Sequence, residues 1–253
     1  MVESWNITIP SLTKKKERKA YVYLPVDYDE DGEYPVMYMF DGHNLFDDNE
    51  ATYGKSWGLA DYLDYTRTQV IIAAVECNQE GNGRLEEYTP ISFEDDDFGK
   101  VKAKGKKYMD WLVKKFKPFI DENFATNPAR EHTAICGSSM GGLMTLFALA
   151  KYSKYFSRGA ALSPSLWVAD GEIPPFLKDG KLGKDTILYT DYGSEEFANH
   201  PKQRKVFADT CAYLIEQGVN LTARVVKGGT HCEASWEQQI PFFMSALGFD
   251  PEN

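Results

Sequence analysis

The sequence predicts an α/β fold in which helices cover both faces of a mostly parallel central sheet. Short apolar runs typical of strands alternate with segments of helical period along all 253 residues. Successive strands that are separated by helices have to pair in parallel, which gives a sheet with helices on its two faces. No repeat and no linker-like tract divides the chain, so we expect residues 1–253 to form a single domain.

The first half of the chain contains four predicted strands and one long predicted helix. The strands are the runs WNITI (5–9), KAYVYLP (19–25), YPVMYMF (34–40) and QVIIAAVE (69–76). Apolar residues recur at steps of three and four from Lys106 to Phe124, which is the period of a helix. Pro118 lies inside this segment and is expected to kink or loosen the helix, since proline has no N–H to donate.

The second half continues the alternation and brings the predicted sheet to about eight strands. Its strands are HTAIC (132–136), RGAALS (158–163), DTILYTDYG (185–193) and NLTARVV (220–226). Its helices are GLMTLFALAKY (142–152), the amphipathic segment Pro201 to Gln217, and a closing helix SWEQQIPFFMSALG (235–248).

Two long segments, residues 77–104 and 164–184, fit neither pattern and are rich in Gly, Pro and charge. Long loops in compact domains often carry function. Each follows a predicted strand, and ligands bind beside the carboxyl ends of parallel strands. We therefore expect both loops to lie at the edge of the sheet that holds the site.

The net charge, the apolar windows and the cysteine spacing exclude several classes of protein. A formal net charge of −10 argues against a nucleic-acid partner, which requires clustered cations. No window approaches the ~18 apolar residues of a membrane span, and the start of the sequence shows no export signal. The four cysteines lack the paired spacing of a metal site, so we expect reduced thiols, a cytoplasmic location, and neither metal nor cofactor.

The segment from Gly137 to Gly141 fits the pattern G-x-S-x-G with Ser139 at its centre. It follows an apolar strand and leads directly into a helix, which is the setting of a nucleophile elbow. Glycines two residues before and after the serine permit the close backbone packing of such a turn. A motif centred on Ser138 would instead need a small residue at Met140.

A serine nucleophile needs a base, and the chain has four histidines. His132 begins the strand that leads into the elbow, His200 precedes a helix, and His43 lies in a turn after an earlier strand. Only His231 lies on the loop between the last strand and the last helix. In the α/β-hydrolase order of serine, acid and histidine, that loop carries the base.

The acid is expected after the strand DTILYTDYG, where three carboxylates occur. Asp191 is still inside the strand. Glu196 is favoured because it lies three residues past Gly193, far enough to turn back over the sheet edge, and Glu195 stays an alternative. The acid would fix the tautomer of the histidine and stabilise its protonated form.

Two backbone N–H groups are needed to stabilise an oxyanion. The N–H of Met140, at the start of the helix after Ser139, is one predicted donor. The second is expected from the loop DGHN, where we assign the N–H of His43 and place Asn44 beside the substrate.

Six blocks of sequence together resemble one known family. They are YPVMYMFDGHNLFDD (34–48), RLEEYTP (84–90), GSSMGG (137–142), ALSPSLW (161–167), YGSEEF (192–197) and GGTHCEASW (228–236). The chain is similar to an esterase family of the α/β-hydrolase superfamily. That family includes enterochelin esterases, the feruloyl and acetylxylan esterases of carbohydrate esterase family 1, and S-formylglutathione hydrolases. The last group differs most at the oxyanion loop.

The resemblance implies an α/β-hydrolase fold without a large cap domain and a triad of Ser139, His231 and Glu196. It also places residues near the substrate pocket, which are Arg84, Glu87, Tyr88 and Trp236. The aromatic rim, to which we add Trp167, suits a planar acyl group.

The expected activity is hydrolysis of a carboxylic ester through an acyl-enzyme. The expected substrates are feruloyl or acetyl esters of plant-derived oligosaccharides or similar small esters, and a trilactone siderophore is the alternative. An acyltransferase or a non-catalytic binding protein on the same fold is a second alternative. No nucleic acid or membrane partner is expected, and the sequence leaves the oligomeric state open.

Overall fold

Eight strands form one sheet that runs through the molecule, and two further strands form a separate hairpin. The structure, a computed structural model, describes residues 1–199 and 201–249, so His200 lies outside the described residues. The strands are β1 (Val2–Thr8), β2 (Glu17–Tyr23), β3 (Val36–Met39), β4 (Ile71–Val75), β5 (Phe93–Asp95), β6 (Gly99–Val101), β7 (Thr133–Ser138), β8 (Arg158–Leu162), β9 (Ile187–Gly193) and β10 (Asn220–Val226).

The order of the strands confirms the predicted mostly parallel sheet. The main sheet runs β1-β2-β4-β3-β7-β8-β9-β10, and β5 pairs with β6 alone. Strand β2 is antiparallel to both β1 and β4, whereas every other neighbouring pair in the main sheet is parallel. The carboxyl ends of β3, β4, β7, β8, β9 and β10 therefore lie at one edge.

The helices of the described residues connect these strands. They are α1 (Pro10–Thr13), α2 (Leu59–Thr66), α3 (Gly83–Glu87), α4 (Gly105–Trp111), α5 (Lys117–Asn123), α6 (Met140–Lys151), α7 (Pro175–Lys178), α8 (Ser194–Asn199), α9 (Pro201–Glu216), α10 (Glu233–Glu237) and α11 (Ile240–Ala246). Short 3₁₀ turns occupy Gly42–Asn44, Arg130–His132 and Leu166–Ala169. No helix in residues 1–199 and 201–249 has the length and apolar character needed to cross a membrane.

Alternate residues of the central strands enter two separate cores, one on each face of the sheet. In β3, Val36 and Tyr38 join the core under α4, α5 and α6, whereas Met37 and Met39 join the core under α2 and α11. This follows from the period of two in a strand, where neighbouring side chains point to opposite faces. Burial on both faces explains why these strands are apolar throughout.

The structure corrects the single closing helix that the sequence predicts. Helix α10 ends at Glu237 and α11 starts at Ile240, with Pro241 in its first turn. Proline has no N–H for the helical bond, and its ring clashes with the carbonyl four residues earlier, which is that of Glu237. The first turn of a new helix tolerates both features.

Three helices and one hairpin lie where the sequence predicts a loop or no element. Helix α2 was missed because its eight residues bury only two leucines, Leu59 and Leu63. Segment 77–104 contains α3 and the β5–β6 hairpin, and segment 164–184 contains α7. Before Pro118 the predicted helix loosens into a π turn, Leu112–Phe116.

A buried ion pair ties the start of β2 to α3. Both guanidinium NH groups of Arg18 donate to the carboxylate of Glu87 at 2.8 Å. The backbone N–H of Asn78 also donates to this carboxylate. Because only 2% of either side chain is exposed, water cannot replace a lost partner.

We expect Glu87→Ala to lower the free energy of unfolding by about 3–5 kcal/mol, because the buried charge of Arg18 loses its partner. Urea denaturation measures this change. The matched control is Lys55→Ala in the exposed pair with Glu237, which we expect to change stability by less than about 1 kcal/mol. Equal effects of the two substitutions would contradict this assignment.

Candidate active site

Ser139 lies at the sharp turn between β7 and α6 and has an unusual backbone conformation. Its φ of 58° and ψ of −121° fall in a region that side chains rarely adopt. Three backbone hydrogen bonds hold the residue there. Its N–H donates to Leu162 at 2.9 Å, and its carbonyl accepts from Leu143 and from Ser165 at 3.0 Å. Such strain costs on the order of 1–3 kcal/mol and persists only where the surroundings impose it.

Close packing around the turn explains the two glycines of the motif. A Cβ on Gly137 would lie 2.8 Å from the carbonyl carbon of Gly141. A Cβ on Gly141 would lie 3.0 Å from the Cβ of Phe40, the residue just after β3. Ser138 is buried in β7, so Ser139 is the serine that the turn presents.

Three side chains from distant parts of the chain form one continuous series of hydrogen bonds. The Oγ of Ser139 lies 3.0 Å from Nε2 of His231, and Nδ1 of His231 lies 2.7 Å from Oε2 of Glu196. His231 lies on the loop between β10 and α10, and Glu196 lies in α8 directly after β9. With Glu196 accepting from Nδ1–H, Nε2 is free to accept the proton of Ser139.

The second carboxylate oxygen of Glu196 is also occupied. Its Oε1 accepts from the hydroxyl of Ser163 at 2.7 Å and from the N–H of Gly193 at 2.8 Å. Burial by itself would raise the pKa of Glu196, but the hydrogen bonds from His231, Ser163 and Gly193 outweigh burial and hold the pKa below its usual value. Glu196 is therefore a charged acceptor in a half-buried place.

The two alternative acids lie elsewhere. Glu195 is exposed, and its carboxylate accepts from the hydroxyl of Ser194. Asp191 is buried in β9, where the hydroxyl of Tyr189 donates to it at 2.8 Å. Burial raises the pKa of Asp191 to about 6. Of the three candidates, Glu196 is the carboxylate that contacts His231.

Trp236, which the sequence places at the substrate pocket, instead packs behind the histidine. It is 6% exposed, and its indole N–H donates to the hydroxyl of Ser163 at 3.1 Å. Its ring meets the ring of His231 edge to face, with centroids 5.1 Å apart. The residue therefore supports His231 and Glu196 from behind and is corrected from a substrate contact.

Ser163 and Ser165 are polar residues of the site that the sequence analysis did not assign. The Oγ of Ser165 lies 3.3 Å from the Oγ of Ser139, and Ser163 links Trp236 to Glu196. The signal was present in the segment ALSPSLW, where two hydroxyls directly follow β8 at the edge of the sheet that holds the site.

The loop after β3 lies beside the N-terminus of α6. Phe40 packs on Gly141, and Asp41 adopts a left-handed conformation with φ 55°. The loop then continues as the 3₁₀ turn that contains His43. This arrangement brings the segment of His43 next to the segment of Met140, the first residue of α6.

Asn44 is corrected from a substrate contact to a support of this loop. Its Oδ1 accepts from the backbone N–H of Thr52 at 2.9 Å and from the hydroxyl of Thr52 at 3.1 Å. Its Nδ2 donates to Glu233 at 3.4 Å. The side chain is buried, so its polar groups face other parts of the protein.

Arg84 stands over this loop, but its neighbours in the RLEEYTP block face inward. Arg84 donates to both carboxylate oxygens of Asp41, at 2.8 and 2.7 Å, and its side chain is 30% exposed. Tyr88 is fully buried under Arg84, and its hydroxyl accepts from the N–H of Asp41. Glu87 is paired with Arg18. Tyr88 is therefore corrected from a pocket residue to a support of the loop, and Glu87 from a pocket residue to the partner of Arg18 in a buried ion pair.

A cavity of about 410 Å³ opens beside His231 and Glu196. Trp167 forms one wall, and behind it lie Phe93 and Phe98 of the β5–β6 hairpin. Glu195 also lines the cavity, whereas none of its described lining residues is lysine or arginine. The cavity is therefore aromatic on one side and carries negative charge without a lining cation.

Comparison with known proteins gives similar chains of the same fold. The chain is 28% identical over 189 residues to the uncharacterized protein YbbA of Bacillus subtilis (strain 168), a match that covers 72% of this chain and 70% of YbbA. The siderophore hydrolase EstA from Aspergillus nidulans superposes with a TM-score of 0.72 at 16% identity, over 98% of this chain and 95% of EstA. A ferulic acid esterase superposes with a TM-score of 0.63 at 16% identity, over 97% of this chain and 98% of that protein.

The match to a family model is more specific than these likenesses of fold. The model described as "Putative esterase" matches residues 11–242, which is most of the chain. It confirms the family that the sequence motifs resemble. The chain belongs to this esterase family, and it is a carboxylic-ester hydrolase of the α/β-hydrolase fold.

Proposed function

We propose that this esterase is a serine hydrolase in which Ser139 is the nucleophile, His231 the general base and Glu196 the acid of the triad. The observation that carries the proposal is the unbroken series of hydrogen bonds from Ser139 through His231 to Glu196. A serine hydroxyl is a poor nucleophile unless a base removes its proton. Such a base needs a partner that fixes its tautomer.

In the first step, Oγ of Ser139 attacks the ester carbonyl carbon while Nε2 of His231 takes the hydroxyl proton. Glu196 stabilises the positive charge that then develops on the imidazole. The backbone N–H groups of Met140 and His43 would donate to the oxyanion. When the tetrahedral intermediate collapses, His231 gives its proton to the departing alcohol and the acyl group remains on Ser139.

The second step repeats this chemistry with water as the nucleophile. His231 removes a proton from water, and the resulting hydroxide attacks the acyl carbon. His231 then returns the proton to Oγ of Ser139 as the carboxylic acid leaves. The strained turn supports both steps, since it holds the Oγ of Ser139 beside His231 and Ser165, which line the cavity, without reorganisation.

For the substrate, we infer a small neutral ester with an aromatic or acetyl acyl group, such as a feruloyl or acetyl ester of an oligosaccharide. The wall formed by Trp167 suits a planar ring. Glu195 lines the cavity without a lining cation, and the hairpin behind Trp167 carries the acidic residues 94–97. These charges disfavour an anionic substrate.

A trilactone siderophore is the second candidate. The observation that favours it is the similarity of the fold to a siderophore hydrolase over nearly the whole of both chains. The iron-loaded form of a catecholate siderophore is strongly anionic. The negative charge of the cavity should therefore repel this candidate substrate but not a neutral feruloyl or acetyl ester.

We expect Ser139→Ala to lower kcat for p-nitrophenyl acetate about 10⁶-fold, because no other hydroxyl among the described residues has both the strained turn and the contact with His231. The matched control is Ser138→Ala, which removes the neighbouring buried hydroxyl and should keep most of the activity. Residual activity of Ser139→Ala within 100-fold of the wild type would sink the assignment of the nucleophile.

The choice between the two glutamates gives a second test. We expect Glu196→Gln to lower kcat about 10⁴-fold, since an uncharged amide cannot stabilise the protonated histidine. Glu195→Gln should stay within a few-fold of the wild type. Steady-state kinetics on one ester measures both variants, and the reverse ranking would make Glu195 the acid.

Substrate charge gives a third test. We expect kcat/KM for methyl ferulate to exceed that for a ferric trilactone siderophore at least about 10-fold, with the difference shrinking as salt screens the cavity. Glu195→Lys should narrow the difference, whereas Lys55→Ala, at a residue that does not line the cavity, should leave it unchanged. A preference for the ferric siderophore would favour the second candidate.

A further inference from the structure

We propose that Asp41, His43 and Cys77 form a buried site for a Zn²⁺-like transition-metal ion, which inhibits the enzyme from behind the oxyanion loop. Their ligand atoms all lie within 4.8 Å of one another. Asp41 and His43 come from the loop after β3, and Cys77 follows β4, the neighbouring parallel strand. All three residues are at most 5% exposed.

His43 supplies the observation that points to a ligand, because one of its ring nitrogens is buried without a partner. Nε2 lies 2.9 Å from the hydroxyl of Thr52, whereas Nδ1 makes no hydrogen bond. The single proton of the Thr52 hydroxyl is directed to the Oδ1 of Asn44 at 3.1 Å. With the hydroxyl proton directed to Asn44, we assign Nε2 as the protonated nitrogen that donates to Thr52, and Nδ1 then carries an unused lone pair.

This arrangement matches the way proteins hold metal-bound histidines. A ligating imidazole usually donates its other N–H to a nearby oxygen, which fixes the tautomer and the orientation of the ring. Thr52 fills that role for His43. A buried polar atom without any partner is otherwise costly, so the lone pair of Nδ1 is a feature that a cation would satisfy.

Asp41 and Cys77 complete a donor set of nitrogen, oxygen and sulfur. The Sγ of Cys77 and a carboxylate oxygen of Asp41 lie within 4.8 Å of each other. Arg84 occupies one lone pair on each oxygen of Asp41, and each oxygen retains another for a metal. On binding, a metal–sulfur bond replaces the S–H bond of Cys77, and the proton leaves to solvent.

The donor set selects the class of metal. Imidazole, thiolate and carboxylate suit Zn²⁺ and Co²⁺, whereas Ca²⁺ and Mg²⁺ require a shell of oxygens. Ligand atoms of a tetrahedral zinc site lie about 3.5 Å apart, so side-chain shifts of about 1 Å would close this site. Because the groups are buried beneath Arg84, we expect the ion to enter slowly, when that side chain moves aside.

The inhibitory effect rests on the proposed function, whereas metal binding does not. Drawing Asp41 and His43 towards a common ion moves the loop whose His43 N–H is assigned to the oxyanion. Ester hydrolysis should then slow over minutes of incubation with metal. Loss of a contact in such a hole typically costs about 10²–10³ in kcat.

Binding is tested with Co²⁺ as a spectroscopic probe on the full-length protein. We expect one equivalent to give a thiolate-to-cobalt charge-transfer band. Cys77→Ser should abolish the band and weaken Co²⁺ binding by more than about 100-fold. The control is Cys232→Ser, which removes the partly exposed thiol beside His231 and should leave the band intact. Absence of the band from the wild type, its persistence in Cys77→Ser, or its loss in Cys232→Ser would each overturn the site.

Inhibition is tested separately by incubating the enzyme with Zn²⁺ before assay. Cys77→Ser should keep its basal activity, since serine has nearly the shape of cysteine and Cys77 contacts no group of the proposed triad, and it should resist Zn²⁺ at least about 10-fold better than the wild type. Circular dichroism checks the fold of the variant, and Cys77→Ala gives a second comparison. If the cobalt band behaves as expected but Zn²⁺ does not inhibit, the metal site stands and the role of the His43 loop in catalysis is wrong.

Discussion

The strained backbone of Ser139 is the constraint on which the rest of the site depends. A residue with φ of 58° is held only because Leu162, Leu143 and Ser165 each form a backbone hydrogen bond with it. Those residues belong to β8, to α6 and to the loop after β8, so three elements must pack correctly before the turn is stable. The close approach of β7 to α6 also leaves no space for side chains at Gly137 and Gly141. The fold thus determines the position of the Oγ of Ser139 before any substrate arrives.

A second layer of polar contacts holds the side chains of His231 and Glu196 in position. Trp236 donates to Ser163, Ser163 donates to Glu196, and Glu196 accepts from His231. Trp236, Ser163 and Glu196 are buried or half-buried, so the hydrogen bonds between them form in a medium less polar than water and are correspondingly stronger, whereas His231 is exposed. The same network keeps the pKa of Glu196 low in spite of burial. The surrounding hydrogen-bond donors therefore keep Glu196 in its charged form.

The loop after β3 shows where sequence reasoning assigns roles that the packing changes. The block RLEEYTP predicts pocket residues, yet Glu87 pairs with Arg18 and Tyr88 supports Asp41 from below. Residues next to each other in a short helix point in different directions, so Arg84 is partly exposed above Asp41 while Tyr88 is buried below it. Neighbouring residues of a motif can point their side chains in different directions. That direction decides whether a side chain contacts a ligand or another part of the protein.

The sequence by itself determined the α/β class, the mostly parallel sheet, the esterase family and the close-packed turn at Ser139. These follow from local signals, namely the apolar period, the strand–helix order and glycines at fixed spacing. Tertiary structure alone decided that Glu196 rather than Glu195 contacts His231, and that Ser163 and Trp236 stand behind them. It also decided that Asn44 and Tyr88 support the loop after β3 and that Glu87 pairs with Arg18. The physical reason is that these choices depend on angles between elements that meet at one edge of the sheet, whereas a sequence records only the distance along the chain.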